Sequence, residues 1–116
     1  MASHDAKILV MGLSFKENCP DIRNTKVFDM VLELRGYGFK VDVYDPWVSS
    51  KVAKEEYDLD LVEKPKANFY DAIVVAVGHS VFKEMGANKL RSFGVKGGIL
   101  FDVKWCFNKN EVDIRL

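Results

Sequence analysis

Charge gathers in one short stretch of this sequence, at Lys16, Glu17, Asp21 and Arg23. Lysine and arginine near the start of a helix can hold a phosphate, the first as a compact cation and the second through a fork of N–H donors. The plainer reading of the same spacing is a solvated loop in which Asp21 and Arg23 pair at little energetic gain. Another lysine, Lys104, follows the apolar segment Ile99-Leu-Phe-Asp102 near the other end of the chain. Two lysines converging on one crevice make a stronger anion site than either alone. The alternative there is a strand-end ion pair between Asp102 and Lys104.

The remaining reactive side chains point to less. His4 and His79 stand apart and no CxxC occurs, so a zinc or haem site has almost no support. His79 reads as a loop hydrogen-bonder rather than a base. Cys19 and Cys106, far apart in a chain without a secretory signal, read as reduced thiols. Trp47 and Trp105 could stack on a ligand, although packing from surface to core is the commoner use of tryptophan.

The elements that must position these residues follow from apolar patterning. Ile8-Leu-Val-Met11 runs into Gly12 and reads as a strand buried on both faces. Val27, Met30, Val31 and Leu34 fall at helical spacing. Asn24 or Thr25 is placed to cap that helix, and Gly36 to end it in the left-handed region. Val41-Asp-Val-Tyr44 is a second strand, stopped by Asp45-Pro46. Residues 48–56 look weakly helical, 59–62 form a short strand and 72–77 the strongest strand, and 81–92 one or two helices broken at Gly86. Ile99–Asp102 is the last strand; the tail from Asn108 has no clear pattern.

Apolar strands alternating with helices predict a Rossmann-like, doubly wound α/β domain with a mainly parallel sheet in three layers. Ligands of such sheets sit at the carboxyl ends of the strands. That directs attention to residues 12–24, 45–47, 78–82 and 102–105.

A dinucleotide site would need G-x-G-x-x-G after the first strand, so that backbone can approach a pyrophosphate. Gly12-Leu-Ser-Phe-Lys-Glu17 keeps only the first glycine, with Ser14 and Glu17 at the other two positions. Asp45 lies where a ribose-binding acid belongs, but reads more simply as a turn residue before Pro46. An intact NAD site is not expected.

The chain has 116 residues, 48% of them apolar, which is enough for one independent core. Seventeen basic and seventeen acidic residues give a formal net charge of +0, which argues against a broad nucleic-acid or membrane footprint. No apolar run approaches the ~20 residues needed to cross a bilayer. Residues 1–6 carry no secretory pattern and read as an unstructured lead or a cloning remnant, leaving 7–116 as the domain.

Gly12-Leu-Ser-Phe-Lys-Glu-Asn-Cys-Pro-Asp-Ile-Arg-Asn-Thr-Lys-Val27, followed by Val43-Tyr-Asp-Pro-Trp47, closely resembles the C-terminal domain of the UDP-glucose/GDP-mannose dehydrogenase family. The first motif is most similar to the UDP-N-acetylhexosamine branch, which serves surface-polysaccharide synthesis. The likeness runs from about Lys7 to Lys104.

The resemblance implies a cytoplasmic parent enzyme that oxidises a sugar C6 hydroxyl to a carboxylate with NAD. It implies an N-terminal NAD-binding domain and a central dimer-building region, both outside this sequence, and a homodimer or larger assembly. This domain would bind the UDP part of the substrate and no cofactor. Phe15-Lys16 matches the family's substrate-binding loop, and Asp21 and Arg23 its Asp-x-Arg element. Lys104 stands where many members carry an arginine. The family's catalytic cysteine lies in a glycine-rich segment followed by Pro-Lys-Asp, and Cys19 in Asn-Cys-Pro-Asp does not match it. The domain alone is therefore expected to be inert, with an apolar surface where its partner domains would dock. Two other readings are a small NAD- or nucleotide-binding regulatory domain, resting on Asp45, and a receiver-like domain. The receiver reading lacks the acidic pair after the first strand and has Gly78-His79 where a phosphorylated aspartate should be.

Overall fold

A computed structural model describes residues 6–115. The expectation for residues 1–5 lies outside that range. Five strands form one sheet in the order β2-β1-β3-β4-β5. They are β1 (Lys7–Met11), β2 (Lys40–Tyr44), β3 (Tyr70–Val75), β4 (Gly94–Asp102) and β5 (Ile114–Arg115), and every pairing is parallel. Four helices connect them: α1 (Val27–Gly36), α2 (Ser50–Tyr57), α3 (Ser80–Met85) and α4 (Ala87–Arg91).

Parallel strands need crossovers, and the crossovers cover both faces of the sheet. In β1 the side chains alternate between two cores. Ile8 and Val10 join Val31 of α1 and Ala53 of α2, whereas Leu9 and Met11 join Phe82 of α3 and Leu90 of α4. Those four β1 residues are all buried, which is why their run is continuously apolar. The result is the three-layer, doubly wound domain expected from the patterning.

Several local features differ from the sequence reading. Gly36 ends α1 within the helix, and the left-handed glycine is Gly38 at φ +95°. Lys26 occupies the cap position without a side-chain bond, while Thr25 Oγ1 accepts from the Val27 amide. Residues 59–62 contribute only a single bridge, Leu61 to Val43. The last long strand starts at Gly94 rather than Ile99, with a register shift against β3, and the tail adds β5. Gly86, at φ +83°, separates α3 from α4 as anticipated. Among the described residues no helix is long and apolar enough to cross a membrane.

In a sheet of order β2-β1-β3-β4-β5 the direction in which successive strands are added reverses at β1, and the carboxyl ends of β1 and β3 open a crevice.

Candidate functional site

That crevice holds a cleft of about 240 Å³. Its walls come from the loop after β1 (Ser14, Phe15, Lys16, Glu17), the start of α1 (Asn24 to Val27) and the residues after β3 (Ala76, Val77). Lys104, beyond β4, closes it. The two lysines that start from opposite ends of the chain thus face one space. Lys26 adds a third ammonium group, at the amino end of a ten-residue helix where the backbone dipole also favours an anion. None of the three is held in an ion pair among the described residues. Glu17 is the one carboxylate among the lining residues.

Each lysine-bearing loop is anchored by a buried aspartate. Asp45 Oδ2 accepts from the Leu13 amide at 2.7 Å, the Ser14 amide at 3.0 Å and His79 Nε2 at 3.0 Å. Its Oδ1 accepts the Trp47 amide at 2.8 Å, so it is a turn residue as well. Asp102 accepts the amides of Lys104 (3.2 Å), Cys106 (3.1 Å) and Phe107 (2.9 Å). The strand-end ion pair considered for Asp102 and Lys104 is instead a bond to the Lys104 backbone.

Burial alone would push the Asp45 carboxyl up. The His79 ring N–H and the amides of Leu13, Ser14 and Trp47 outweigh it and hold the group below its ordinary value. A carboxyl depressed in the folded state stabilises the fold above its unfolded value, about pH 4, and that contribution is lost as pH falls through the lower folded value. An Asp45→Asn variant should therefore be less stable than the unmodified chain at neutral pH. The difference in melting temperature should shrink on acidification below about pH 4, followed by circular dichroism. A gap that stays constant across that range would remove Asp45 from the acid response.

Asp21 and Arg23 pair with each other. Arg23 Nε and Nη2 both donate to the Asp21 carboxylate at 3.0 Å, and the Arg23 amide donates to it at 2.9 Å. The guanidinium and that amide hold the Asp21 carboxyl down to about 2. Neither residue lines the cleft; the Asp21 carbonyl instead accepts the Phe15 amide at 2.6 Å and closes the loop.

The cysteines are both free and half-buried. Burial, then the Asp102 charge, pushes the Cys106 thiol up against the opposing pull of Lys83 and Lys104, which is the opposite of an activated nucleophile. Phe15, Trp47 and Trp105 are exposed on loops at the carboxyl end of the sheet, with the Arg115 guanidinium 3.9 Å over the Trp105 ring and one side of Trp47 against His79.

The first loop is tightly engaged with its surroundings. Gly12 is closed against Val77, and the Ser14 hydroxyl is engaged with His79 and the Lys16 carbonyl.

Sequence reasoning passed over Lys26 and Asn18. Lys26 was signalled by its place before the first apolar turn of α1. Asn18 sits at φ +54°, a conformation asparagine tolerates, and its side chain exchanges two hydrogen bonds with Ser80.

A family profile described as "UDP-glucose/GDP-mannose dehydrogenase family, UDP binding domain" matches residues 9–109. UDP-N-acetyl-D-glucosamine 6-dehydrogenase of Pseudomonas aeruginosa is 50% identical over 111 residues, covering 96% of this chain and 26% of the relative. The Salmonella typhi protein of the same name is 46% identical with the same coverage. The solved UDP-N-acetyl-mannosamine dehydrogenase Cap5O of S. aureus superposes with TM-score 0.68 at 25% identity, over 94% of this chain and 25% of that one. The chain spans about a quarter of the length of the curated relatives it matches.

Proposed function

The chain belongs to the UDP-glucose/GDP-mannose dehydrogenase family, and from that membership we propose that it grips the UDP moiety of a UDP-N-acetylhexosamine within a longer, NAD-dependent 6-dehydrogenase. The observation that carries this reading is the convergence of Lys16, Lys26 and Lys104 on one cleft at the β1–β3 crevice. A diphosphate brings compact negative charge, and three ammonium groups beside a helix amino end supply its complement. Phe15, exposed next to Lys16, offers an apolar face beside the charge for the rest of the ligand. The Asp21 carbonyl, accepting the Phe15 amide, closes the loop behind it, and Arg23 pairs with the Asp21 carboxylate.

NAD and the oxidation of the sugar C6 hydroxyl belong to other parts of the longer protein in this reading, and those parts would cover Phe15, Trp47 and Trp105. The product, a UDP-hexosaminuronate, would feed surface-polysaccharide synthesis. The isolated chain binds and orients; it does not oxidise.

Calorimetric titration with UDP, UDP-N-acetylglucosamine and NAD tests the assignment. UDP should bind weakly, because the cleft is open on the side of its partner domains, and the affinity should fall with added salt. Lys16→Ala should cost about 1.5–3 kcal/mol, roughly ten- to a hundredfold in Kd. Tighter binding of NAD than of UDP would sink the proposal and favour a dinucleotide-sensing domain.

A further inference from the structure

We propose that His79, backed by Asp45, is a positioning residue that fixes Lys16 before any ligand arrives. This rests on the diphosphate reading above. His79 is fully buried and does not line the cleft. Its Nδ1 accepts the Asn18 amide at 2.8 Å, which places the ring proton on Nε2. Nε2 lies 3.0 Å from Asp45 Oδ2 and 3.1 Å from Ser14 Oγ. Ser14 Oγ in turn donates to the Lys16 carbonyl at 3.0 Å. One imidazole therefore ties both ends of the segment Ser14–Asn18, with Lys16 at its centre.

The same segment is fastened twice more. Asn18 Nδ2 donates to Ser80 Oγ at 2.8 Å, and the Ser80 amide returns a bond to Asn18 Oδ1 at 2.9 Å. Trp47 and Phe82 pack against the imidazole with ring centroids 6.1 and 5.2 Å away. A lysine on a free loop would lose backbone freedom on closing around a diphosphate, and that cost would come out of the affinity. Here the backbone is already fixed, so only the lysine side chain has to order.

The test uses the 116-residue chain with UDP as the probe, at a temperature well below the melting point of every variant. His79→Gln keeps a donor towards Asp45 and loses the acceptor for the Asn18 amide. It should weaken UDP binding roughly three- to tenfold and speed hydrogen exchange at the Asn18 amide. Its dependence of Kd on salt should match the unmodified chain, because the lysines remain, whereas Lys16→Ala should flatten that dependence. Asn18→Gly tolerates the positive φ, loses the Ser80 bonds and should also weaken UDP by a few-fold.

A His79→Gln chain that melts earlier but binds UDP as tightly as the unmodified chain would show a purely structural role and overturn the proposal. If that variant does not fold, unchanged UDP affinity in Asn18→Gly overturns it instead. Absence of UDP binding by the unmodified chain would overturn the diphosphate reading, and this proposal with it. Normal binding there with unaffected variants would overturn this proposal alone.

Discussion

Replacing Gly12 by alanine is expected to cost about 3–5 kcal/mol of folding free energy, a large part of the stability of a domain this size. Two effects add. Gly12 has φ +103°, a region that residues with a Cβ rarely adopt. The added Cβ would also lie 2.5 Å from Val77 Cβ and 2.9 Å from the Val77 backbone nitrogen. Neither neighbour can retreat easily, because the amides of Ala76 and Val77 bond to the Met11 carbonyl while the Gly12 amide bonds to Tyr44 on the other side. Urea unfolding measures the cost. A loss below about 1 kcal/mol would mean the β1–β3 crevice is looser than described.

The second large effect is expected at Asp102. Its carboxylate is fully buried and accepts three backbone amides, those of Lys104, Cys106 and Phe107. Asp102→Ala strands the buried Phe107 amide and the part-buried amides of Lys104 and Cys106, and should cost about 3–5 kcal/mol, since an unsatisfied buried amide costs about 1–3 kcal/mol and part-buried ones less. Asp102→Asn is the finer instrument. Its carbonyl oxygen can replace Oδ1 and keep Lys104 and Cys106, but its NH₂ group then confronts the Phe107 N–H, donor against donor. It should lose about half as much as alanine. UDP affinity should fall in both variants while they remain folded, because Lys104 rides on the released loop. Asp102→Asn matching Asp102→Ala in urea unfolding would contradict this division of labour.

Much of the fold was legible because two-sided burial leaves a plain mark. The run Ile8–Met11 had to be apolar throughout, since alternate residues serve opposite cores. The convergence of Lys16 and Lys104 followed from topology, because parallel strands deliver their following loops to the same edge. The first half of β4 was hidden by Gly94, Gly97 and Gly98. The backbone there is crowded at position 98, where a Cβ would lie 3.0 Å from the Val95 carbonyl oxygen within β4 and 3.2 Å from that of Asp71 on β3. Close backbone approach sets that segment, not side-chain preference.

β5 is two residues long and is placed by tertiary bonds just before it. The Asp113 carboxylate accepts from the Leu100 amide at 2.7 Å and from Arg91 Nη1 at 3.0 Å. No pattern in so short a segment could announce it. The link between Asp45 and His79 was out of reach for a similar reason. The two lie 34 positions apart, and Asp45 before Pro46 already had a sufficient local explanation as a turn residue. Both roles hold at once, one on each carboxylate oxygen.

The separate anchoring of the two lysine loops makes the grip adjustable by halves. Lys16 is mounted over Asp45 and Lys104 over Asp102, and the described hydrogen bonds form no bridge between the two mounts. A change of length or sequence in one loop can thus move one cation relative to the other while the sheet stays as it is. Descendants of this scaffold could retune the spacing of the jaws for a different cargo without first redesigning the frame.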